Sequence, residues 1–362
     1  MTTVIATPVS VIMPVRNEER HLAESVSSVL SQDYSGPLEL VLAVGPSKDR
    51  TLEIAEKLAG LDSRVTVVAN PSGQIPSALN AAIGAAKHDV LVRVDGHALL
   101  PPGYLATAVR ILEETGAVNV GGIMAAEGVT PFQRAVAWAM TSPAGVGSAK
   151  YHTGGKPGPA ESVYLGTYRR SALEGVGGWD ESYLRAEDWE LNHRIKAAGG
   201  LIWFQPEMRV SYRPRATLGA LSSQYFHYGR WRHVVARMHA GTINLRYLAP
   251  PLVVGAMLAG AAAGLVGLLA LLVGAGGLWP DLLLVGFAAP LVYLLGVLAV
   301  TATAAKSLPG RSLLDLPLVL ATMHVSWGVG FLTSPRHLVP GGSGPNRPAP
   351  ASQGTASKGA AA

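Results

Sequence analysis

Two acidic stretches of the sequence carry residue types that bind metal ions or transfer protons. In the first, Asp95 ends a predicted buried strand, and Gly96 and His97 follow it. A carboxylate at the end of a buried strand costs desolvation free energy unless it is paired or binds a cation. Asp95 and His97 are therefore candidate ligands of Mg²⁺ or Mn²⁺, which take few protein ligands and fill their shell with water and phosphate oxygens. The alternative is that Asp95 caps the next helix and His97 packs against its turn.

The second acidic stretch, Glu187 and Asp188, opens a helical pattern after the Gly-Gly-Trp-Asp segment 177–180. Adjacent acids at a helix N-terminus interact favourably with the helix dipole, so an ordinary helix start accounts for them. The two glycines, however, allow backbone to lie close to a ligand. A role for Glu187 and Asp188 at a ligand therefore stays open.

Two further polar residues have both a structural and a functional interpretation. Asp49 follows the second predicted strand, where it either caps the next helix or accepts hydrogen bonds from a base or ribose. Asn80 lies in a predicted helix, although asparagine is a poor helix former. It either faces a ligand or is a tolerated surface residue.

The elements that must position these residues alternate between apolar strands and helical stretches. Near-continuous valine, leucine and isoleucine runs predict strands at 9–15, 38–44, 65–69, 90–94 and 117–124. Runs of this kind with helical crossovers predict an α/β fold whose mostly parallel, Rossmann-like sheet is covered on both faces. Ligands bind at the carboxyl ends of such strands, which here are followed by the polar segments 14–18, 45–49, 70–74 and 95–97.

Composition excludes several classes of protein. Of 362 residues, 49% are hydrophobic and none is cysteine, which excludes a chain disordered throughout, a disulfide framework, thiolate metal sites and thiol catalysis.

The net charge of +5 is unevenly spread, because 208–246 contains no acid and seven arginines: Arg209, Arg213, Arg215, Arg230, Arg232, Arg237 and Arg246. Uncharged stretches then follow at 247–280, 282–305 and 316–335. A helix needs about 20 apolar residues to cross a bilayer, so we predict three spans and a membrane-surface role for the arginines, with no nucleic-acid partner.

These patterns predict four regions. Residues 1–208 form a cytosolic catalytic domain, 209–246 a basic amphipathic interfacial segment, 247–335 three transmembrane helices and 336–362 a disordered tail. The absence of a visible signal peptide, and basic residues in the second loop (Lys306, Arg311) but not in the first, predict that the catalytic domain faces the cytoplasm. The third apolar segment is alternatively re-entrant.

The order and spacing of the motifs resemble those of family 2 glycosyltransferases with a GT-A nucleotide-sugar-binding fold, over residues 9–231. Segment 14–18 resembles the opening nucleotide loop, 47–51 the S-x-D-x-T step, 73–80 the G…A-x-N helix, and 95–97 stands in the place of D-x-D. Later segments resemble the strand, the GG-aromatic turn and the E-D motif of that family. The chain resembles in particular the membrane-anchored exopolysaccharide enzymes of the succinoglycan ExoA type, which share the DGH form and C-terminal spans.

The resemblance implies a role for each site residue. The nucleotide would contact Pro14, Arg16, Asn17, Glu18, Asp49, Asn80, Arg93 and Asp95. A divalent metal, Mg²⁺ or Mn²⁺, would bind Asp95 and His97. Asp188 would be the catalytic base, with Glu187 orienting it or contacting the acceptor. The acceptor or the diphosphate would contact Trp179, His227, Arg230 and Trp231.

Two departures from the family pattern matter. His97 replaces the second acid of D-x-D, so metal binding rests mainly on Asp95. The Q-x-x-R-W signature of processive synthases is present only as H-Y-G-R-W at 227–231, since Gln224 lies three residues too early. The sequence therefore gives little support to processive polymerisation.

The implied function is inverting transfer of a sugar from a nucleotide-diphosphate sugar to a hydroxyl of a lipid-linked glycan, polyprenyl-linked or polysaccharide-precursor acceptor at the face of the cell membrane. The expected partners are this donor, this acceptor and membrane lipids. Two alternatives remain open: a polyprenyl-phosphate sugar synthase, whose acceptor is a phosphate, and a non-catalytic nucleotide-binding membrane scaffold.

Overall fold

Eight strands of the catalytic region form a single mixed sheet in the computed structural model, which describes residues 6–339. The strands are β1 (Val9–Val15), β2 (Leu38–Val44), β3 (Val65–Ala69), β4 (Val90–Arg93), β5 (Asn119–Ala126), β6 (Gly158–Pro159), β7 (Tyr164–Arg169) and β8 (Ile202–Tyr212). Their order across the sheet is β3-β2-β1-β4-β7-β5-β8-β6. Strands β1 to β4 pair in parallel, as do β5 and β8, whereas β7 is antiparallel to both of its neighbours. The predicted α/β fold with a mostly parallel sheet is confirmed.

Helices cover both faces of the sheet and continue into an all-helical C-terminal region. They are α1 (Leu22–Leu30), α2 (Thr51–Leu61), α3 (Ile75–Ala85), α4 (Tyr104–Thr115), α5 (Pro131–Thr141), α6 (Pro143–Val146), α7 (Lys150–Thr153), α8 (Arg170–Gly175), α9 (Glu187–Ala197), α10 (Leu218–Met238), α11 (Leu245–Leu272), α12 (Trp279–Leu284), α13 (Ala288–Ala304) and α14 (Arg311–Leu332).

Successive residues of β1 pack on opposite faces of the sheet, as the two-residue period of a strand requires. Val11 and Met13 join the core under α1, α2 and α4, while Ile12 joins the core under α3 and α9. All three side chains are buried. Burial on both faces is why this strand reads as an unbroken apolar run in the sequence.

One predicted domain boundary is wrong. Strand β8 continues to Tyr212, so residues 209–212 belong to the catalytic sheet and not to an interfacial segment. Met208 and Val210 are buried while Arg209 between them is exposed, which is the alternation of a strand with one covered face. Because Arg209 begins the run of arginines, the sequence pattern assigned the last residues of this strand to the basic segment.

Three C-terminal helical segments are long and apolar enough to cross a membrane: Leu245–Leu272, Trp279–Ala304 and Arg311–Leu332. They are 28, 26 and 22 residues long, each at or above the roughly 20 residues that a bilayer core requires. Of the predicted tail, 336–338 forms a short 3₁₀ turn, and residues 340–362 lie outside the described residues.

Helices α10 and α14 approach each other at two glycines. A Cβ atom on Gly229 would lie 1.9 Å from the carbonyl oxygen of Trp327, and one on Gly330 would lie 2.0 Å from that of Phe226. Each glycine faces backbone of the other helix, which cannot move aside as a flexible side chain can. The absence of side chains at these two positions therefore sets the distance between the helices.

We expect Gly229→Ala to destabilise the protein by about 1–3 kcal/mol, because the added methyl group would force the two helices apart. The matched control is Gly219→Ala in the same helix, where an added Cβ meets nothing within 4 Å and alanine is the better helix former. Thermal unfolding of the detergent-solubilised protein checks this. Equal melting temperatures for the two variants would contradict the tight crossing.

Candidate active site

Arg93, the last residue of β4, brings three carboxylates together. Its Nε donates to Asp95 Oδ1 at 3.1 Å, its Nη1 donates to Asp188 Oδ1, and its Nη2 lies 3.7 Å from Glu187 Oε1. The Arg93 side chain is 6% exposed. Asp95 lies two residues away in the chain, whereas Glu187 and Asp188 come from the start of α9. The two acidic stretches singled out in the sequence thus meet at one buried guanidinium group.

The charges of this cluster shift the proton affinities of its members. Burial alone would lower the pKa of Arg93, but Asp188, Asp95 and Glu187 raise it well above its ordinary value. Burial also raises the pKa of Glu187, and the neighbouring Asp188 raises it further. Arg93 therefore stays charged.

Asp188 is held by one of its two oxygens. Besides Arg93, the indole Nε1 of Trp179 donates to Asp188 Oδ1 at 3.2 Å. Within residues 6–339 no hydrogen-bond donor reaches Oδ2, and the side chain is 35% exposed. The carboxylate is thus fixed in orientation while one oxygen faces outward.

Asn80 fixes the segment that carries Trp179. Its Oδ1 accepts from the Trp179 backbone N–H at 2.9 Å, and its Nδ2 donates to the Trp179 carbonyl at 2.8 Å and to Glu181 Oε1 at 3.1 Å. Gly178 has φ +72°, and a Cβ there would lie 2.7 Å from Asn80 Oδ1. The glycine is therefore required by the close approach of Asn80 as well as by the left-handed backbone.

Three of the predicted contact residues make hydrogen bonds within the protein. The sequence predicted that Arg93 and Asn80 bind the nucleotide and that Trp179 contacts the acceptor or diphosphate, and these contacts stay predictions. In the structure the polar groups of Arg93 and Asn80 bond to carboxylates and backbone, and Trp179 is buried. Together these three side chains hold Asp188 in place. Arg93 and Trp179 bond to it directly, and Asn80 acts through Trp179.

The helix that carries the acids starts in a strained conformation. Ala186, which precedes Glu187, has φ 60° and ψ 19°, in the left-handed region. This conformation costs a non-glycine residue about 1–2 kcal/mol. The turn points the first residues of α9 at Arg93, and strain of this kind is typical of functional sites.

The loops that follow β1, β2 and β3 are fastened to one another. Arg16 donates from Nε to the Pro46 carbonyl and from Nη1 to the Gly73 carbonyl, both at 3.2 Å. Asn17, which has φ 55°, accepts at Oδ1 from the Lys48 N–H at 2.8 Å. These are the polar segments that the sequence placed at the carboxyl ends of the strands. Their mutual hydrogen bonds make one continuous rim along that edge of the sheet.

Asp49 accepts three hydrogen bonds where the loop after β2 enters α2, although Arg50 and not Asp49 is the residue at the N-cap position. Its Oδ1 accepts from the Thr51 N–H at 3.1 Å and from the Thr51 hydroxyl at 2.5 Å, while Oδ2 accepts from the Glu19 N–H at 3.3 Å. These bonds, led by that of the Thr51 hydroxyl, lower the pKa of Asp49. Asp49 lies on the same rim, since the Glu18 N–H donates to Thr51 Oγ1 at 2.8 Å.

The donor atoms at Asp95 and His97 fit an open site for a divalent cation. No group of three or more histidine, aspartate or glutamate side chains that would hold a metal ion is present in the described part of the chain. Asp95 uses Oδ1 for Arg93, and no donor within 6–339 reaches Oδ2. A carboxylate oxygen beside an imidazole suits Mg²⁺ or Mn²⁺ if phosphate oxygens and water supply the remaining ligands.

His97 is paired with Glu18. A hydrogen bond of 2.8 Å joins His97 Nδ1 to Glu18 Oε1, and this bond is the main cause of the raised pKa of His97. Gly96 is tightly placed, since a Cβ there would lie 3.2 Å from Glu18 Cγ and 3.5 Å from the Pro14 carbonyl oxygen. Glu18 and Pro14, predicted to contact the nucleotide, thus adjoin the DGH segment.

The predicted residues of α10 divide by exposure. His227 and Arg230 are half-buried, and the Arg230 guanidinium lies over the Phe226 ring, 4.5 Å from its centroid. Trp231 is buried against Tyr183, with ring centroids 6.2 Å apart. Trp231 therefore packs in the protein core, and its contact with acceptor or diphosphate stays a prediction.

Sequence reasoning assigned Arg232 to the membrane surface, and the structure corrects this. Its guanidinium is buried between the rings of Trp189, at 4.2 Å, and Tyr247, at 3.7 Å. It donates to the Thr242 carbonyl, while its Nε and Nη1 have no hydrogen-bond partner within the described residues. Burial lowers the pKa of Arg232, and the nearby Arg246 lowers it further. Two features of the sequence pointed to this arrangement: the run of arginines that contains Arg232, and Trp189 next to the predicted base Asp188.

Comparisons with known proteins agree with this architecture. The family model described as glycosyl transferase family 2 matches residues 10–177. The succinoglycan biosynthesis protein ExoA of Rhizobium meliloti (strain 1021) is 35% identical over 255 residues, which cover 69% of this chain and 77% of that protein. The dolichyl N-acetyl-alpha-D-glucosaminyl phosphate 3-beta-D-2,3-diacetamido-2,3-dideoxy-beta-D-glucuronosyltransferase of Methanococcus voltae is 23% identical over 252 residues, 67% of this chain and 77% of that protein.

A solved structure has the same fold over almost the whole chain. It is the mannosyltransferase PcManGT from Pyrobaculum calidifontis in complex with GDP-Man and Mn²⁺, with a TM-score of 0.53 and 18% sequence identity. The match covers 91% of this chain and 89% of that one. The predicted GT-A fold is confirmed.

We expect Arg93→Met to destabilise the protein by about 3–5 kcal/mol, because three carboxylates would lose their shared counter-charge in a buried site. The matched control is Arg64→Met, whose surface partner is Asp62 at 2.8 Å and whose loss should cost no more than about 1 kcal/mol. Thermal unfolding in detergent compares them. Similar melting temperatures would contradict the central role of Arg93.

Proposed function

The chain belongs to glycosyl transferase family 2, and on that premise we propose that it is an inverting, metal-dependent enzyme that glycosylates a lipid-linked or polysaccharide-precursor hydroxyl at the membrane face. The observation that carries the proposal is the meeting of Asp95 and Asp188 at Arg93, beside helices long enough to anchor the site to a bilayer. The likeness to a succinoglycan biosynthesis protein supports a role in polysaccharide biosynthesis.

The nucleotide of the donor would lie along the rim formed by the loops after β1 to β4. Arg16, Asn17 and Asp49 line this rim, and their hydrogen bonds to neighbouring loops hold its shape before the donor binds. A preformed rim lowers the entropy cost of binding. The DGH segment at the end of β4 would then meet the diphosphate.

Asp188 would act as the general base. The acceptor hydroxyl gives its proton to Asp188 Oδ2 while its oxygen bonds to the anomeric carbon of the sugar. The bond from that carbon to the phosphate oxygen breaks, and the nucleoside diphosphate leaves with the electron pair. A single displacement from the face opposite the leaving group inverts the anomeric centre. Arg93 and Trp179 would keep Oδ2 aimed at the acceptor by holding Oδ1.

Asp95, with His97 beside it, would hold the divalent cation. Such a cation, when bound, neutralises charge that develops on the leaving diphosphate. The structurally similar mannosyltransferase, which holds Mn²⁺ with GDP-Man, is consistent with this assignment. Arg93 lowers the repulsion between the donor and the three carboxylates, because its guanidinium stays charged.

The surroundings of Arg232 support an anionic, lipid-linked acceptor. Two buried nitrogens of this cation lack partners within the described residues, and it lies between Trp189, next to the proposed base, and Tyr247 at the start of α11. A phosphate group on a lipid carrier would find an unpaired cation at this junction. The dolichyl-linked substrate in the name of the archaeal relative points the same way.

The catalytic domain would face the cytoplasm. The loop after α13 carries Lys306 and Arg311, whereas the loop between α11 and α12 has no basic residue. Basic residues are enriched on the cytoplasmic side of membrane spans.

We expect Asp188→Asn to reduce sugar transfer by about 10²-fold or more, because the amide cannot accept the acceptor's proton. A screen of nucleotide sugars first identifies the donor, and transfer by membranes containing each variant is then measured. Asp89→Asn, at a fully exposed acid, is the matched control and should keep normal turnover. Near-normal transfer by Asp188→Asn would favour the alternative, an acceptor phosphate that needs no base.

We expect Asp95→Ala to abolish the increase in nucleoside-diphosphate affinity that Mn²⁺ brings, since the main protein ligand of the cation would be lost. Calorimetric titration with and without Mn²⁺ measures this on the purified full chain. Asp33→Ala, at an exposed acid on the loop after α1, serves as the control. An unchanged Mn²⁺ effect in Asp95→Ala would rule out its role as metal ligand.

A further inference from the structure

Both ends of α14 are bonded to helices that precede the apolar segments, the start to α5 of the catalytic domain and the end to α10. Near its start, Ser312 Oγ accepts from Arg134 Nε of α5 at 3.2 Å. After its end, Ser334 Oγ donates to the Arg230 carbonyl of α10 at 2.9 Å, and the Ser334 carbonyl accepts from Arg237 Nη2 at 3.0 Å. A helix of 22 residues is about 33 Å long, so a crossing would put its two ends on opposite sides of a bilayer.

The middle of α14 is also bonded to the catalytic domain. Ser326 shares a hydrogen bond of 2.9 Å with Ser222 of α10, and His324 Nε2 lies 2.7 Å from the Ala144 carbonyl of α6. Leu316, Val319, Leu320 and Met323 pack in one apolar cluster with Ala135, Val136 and Ala139 of α5. That cluster includes Met124 of β5, so the helix rests on the end of the sheet.

The other two apolar segments are arranged differently. Gly260, Gly264 and Gly267 of α11 each approach the segment 280–287 closely, which makes α11 and α12–α13 a hairpin. Helix α14 meets this hairpin at Pro250 and Val254, early in α11, and at Tyr293, Val297 and Ala304 of α13, where the Tyr293 hydroxyl lies 3.1 Å from His324 Nδ1. These contacts lie in the half of the hairpin next to the catalytic domain.

The outer face of α14 is apolar. Leu314, Leu318 and Leu332 are 78%, 53% and 52% exposed. At about 100° per residue these three side chains fall within about 40° of one another, opposite the buried Leu316, Val319 and Met323. Leu245 and Leu252, in the first turns of α11, are also exposed. An apolar outer face of this kind contacts lipid whether the helix crosses the bilayer or lies along its surface, and the contacts of both ends of α14 with α5 and α10 favour the second arrangement.

We propose that α14 lies along the membrane surface with its leucine stripe in the lipid, and that only the hairpin of α11 and α12–α13 crosses the bilayer. Two crossings return the chain to its starting side, so the C-terminal tail is on the same side as the catalytic domain. This replaces the three spans expected from apolar length. The inference holds whichever sugar the enzyme transfers.

The absence of cysteine from the chain provides the test, because any single introduced cysteine reports its own side of the membrane. We would introduce Ser63→Cys in an exposed catalytic-domain turn, Gly276→Cys in the loop between the hairpin helices, and Ser352→Cys or Ser357→Cys in the tail. Each full-length variant is labelled with a membrane-impermeant maleimide in right-side-out spheroplasts and in inverted vesicles. Labelling after detergent addition checks that every cysteine is reactive.

We expect both tail cysteines to be labelled in the same preparation as Ser63→Cys, and Gly276→Cys in the opposite one. Tail labelling from the side opposite Ser63→Cys would mean that α14 crosses the bilayer and would overturn the proposal. Because the readout is sidedness and not turnover, its failure is distinct from failure of the proposed enzymatic activity.

Discussion

The buried charge of Arg93 is the interaction on which the site depends. A guanidinium at the end of a central strand would be costly if unpaired, and three carboxylates packed together would be equally so. The positive guanidinium and the negative carboxylates offset each other's cost of burial, and burial strengthens the attraction between them. The pairing fixes where α9 begins relative to β4, at the expense of a left-handed turn at Ala186. It brings two acidic motifs to one point although nearly a hundred residues separate them.

Positioning of Asp188 extends outward from this cluster through uncharged groups. Trp179 holds the same oxygen as Arg93, and Asn80 holds the backbone of Trp179. Asn80 makes two of its three hydrogen bonds to Trp179 and the third to Glu181. The second oxygen of Asp188 is left without a donor within residues 6–339, an arrangement suited to the proposed role of Asp188 as a base that is oriented before substrate arrives.

The C-terminal helices are part of the same packed structure as the sheet. Helices α5, α10 and α14 share one apolar cluster with the sheet, and the glycine crossing at Gly229 and Gly330 locks α10 to α14. Arg232 contacts Trp189 on one side and Tyr247 at the start of α11 on the other. The orientation of the site relative to the C-terminal helices is therefore set by direct contacts and not by a flexible linker.

Local chemistry in the sequence determined the strands β1 to β4, the positions of the polar loops after them, and the three apolar helices, because continuous apolar runs and their lengths are readable residue by residue. Motif order also indicated Asp95 and Asp188 as the acids of interest. What only the tertiary structure decided was partnership: that Arg93, Asn80 and Trp179 serve Asp188, that Trp231 and Arg232 are buried, and that β8 continues past residue 208. Arg93 and Asp188 are 95 residues apart, Asn80 and Trp179 are 99 apart, and the remaining points depend on how elements pack and on which face of each is covered. The spacing of residues along the chain does not predict such pairings. The free energy that selects them arises only when charges and surfaces from different elements come into contact.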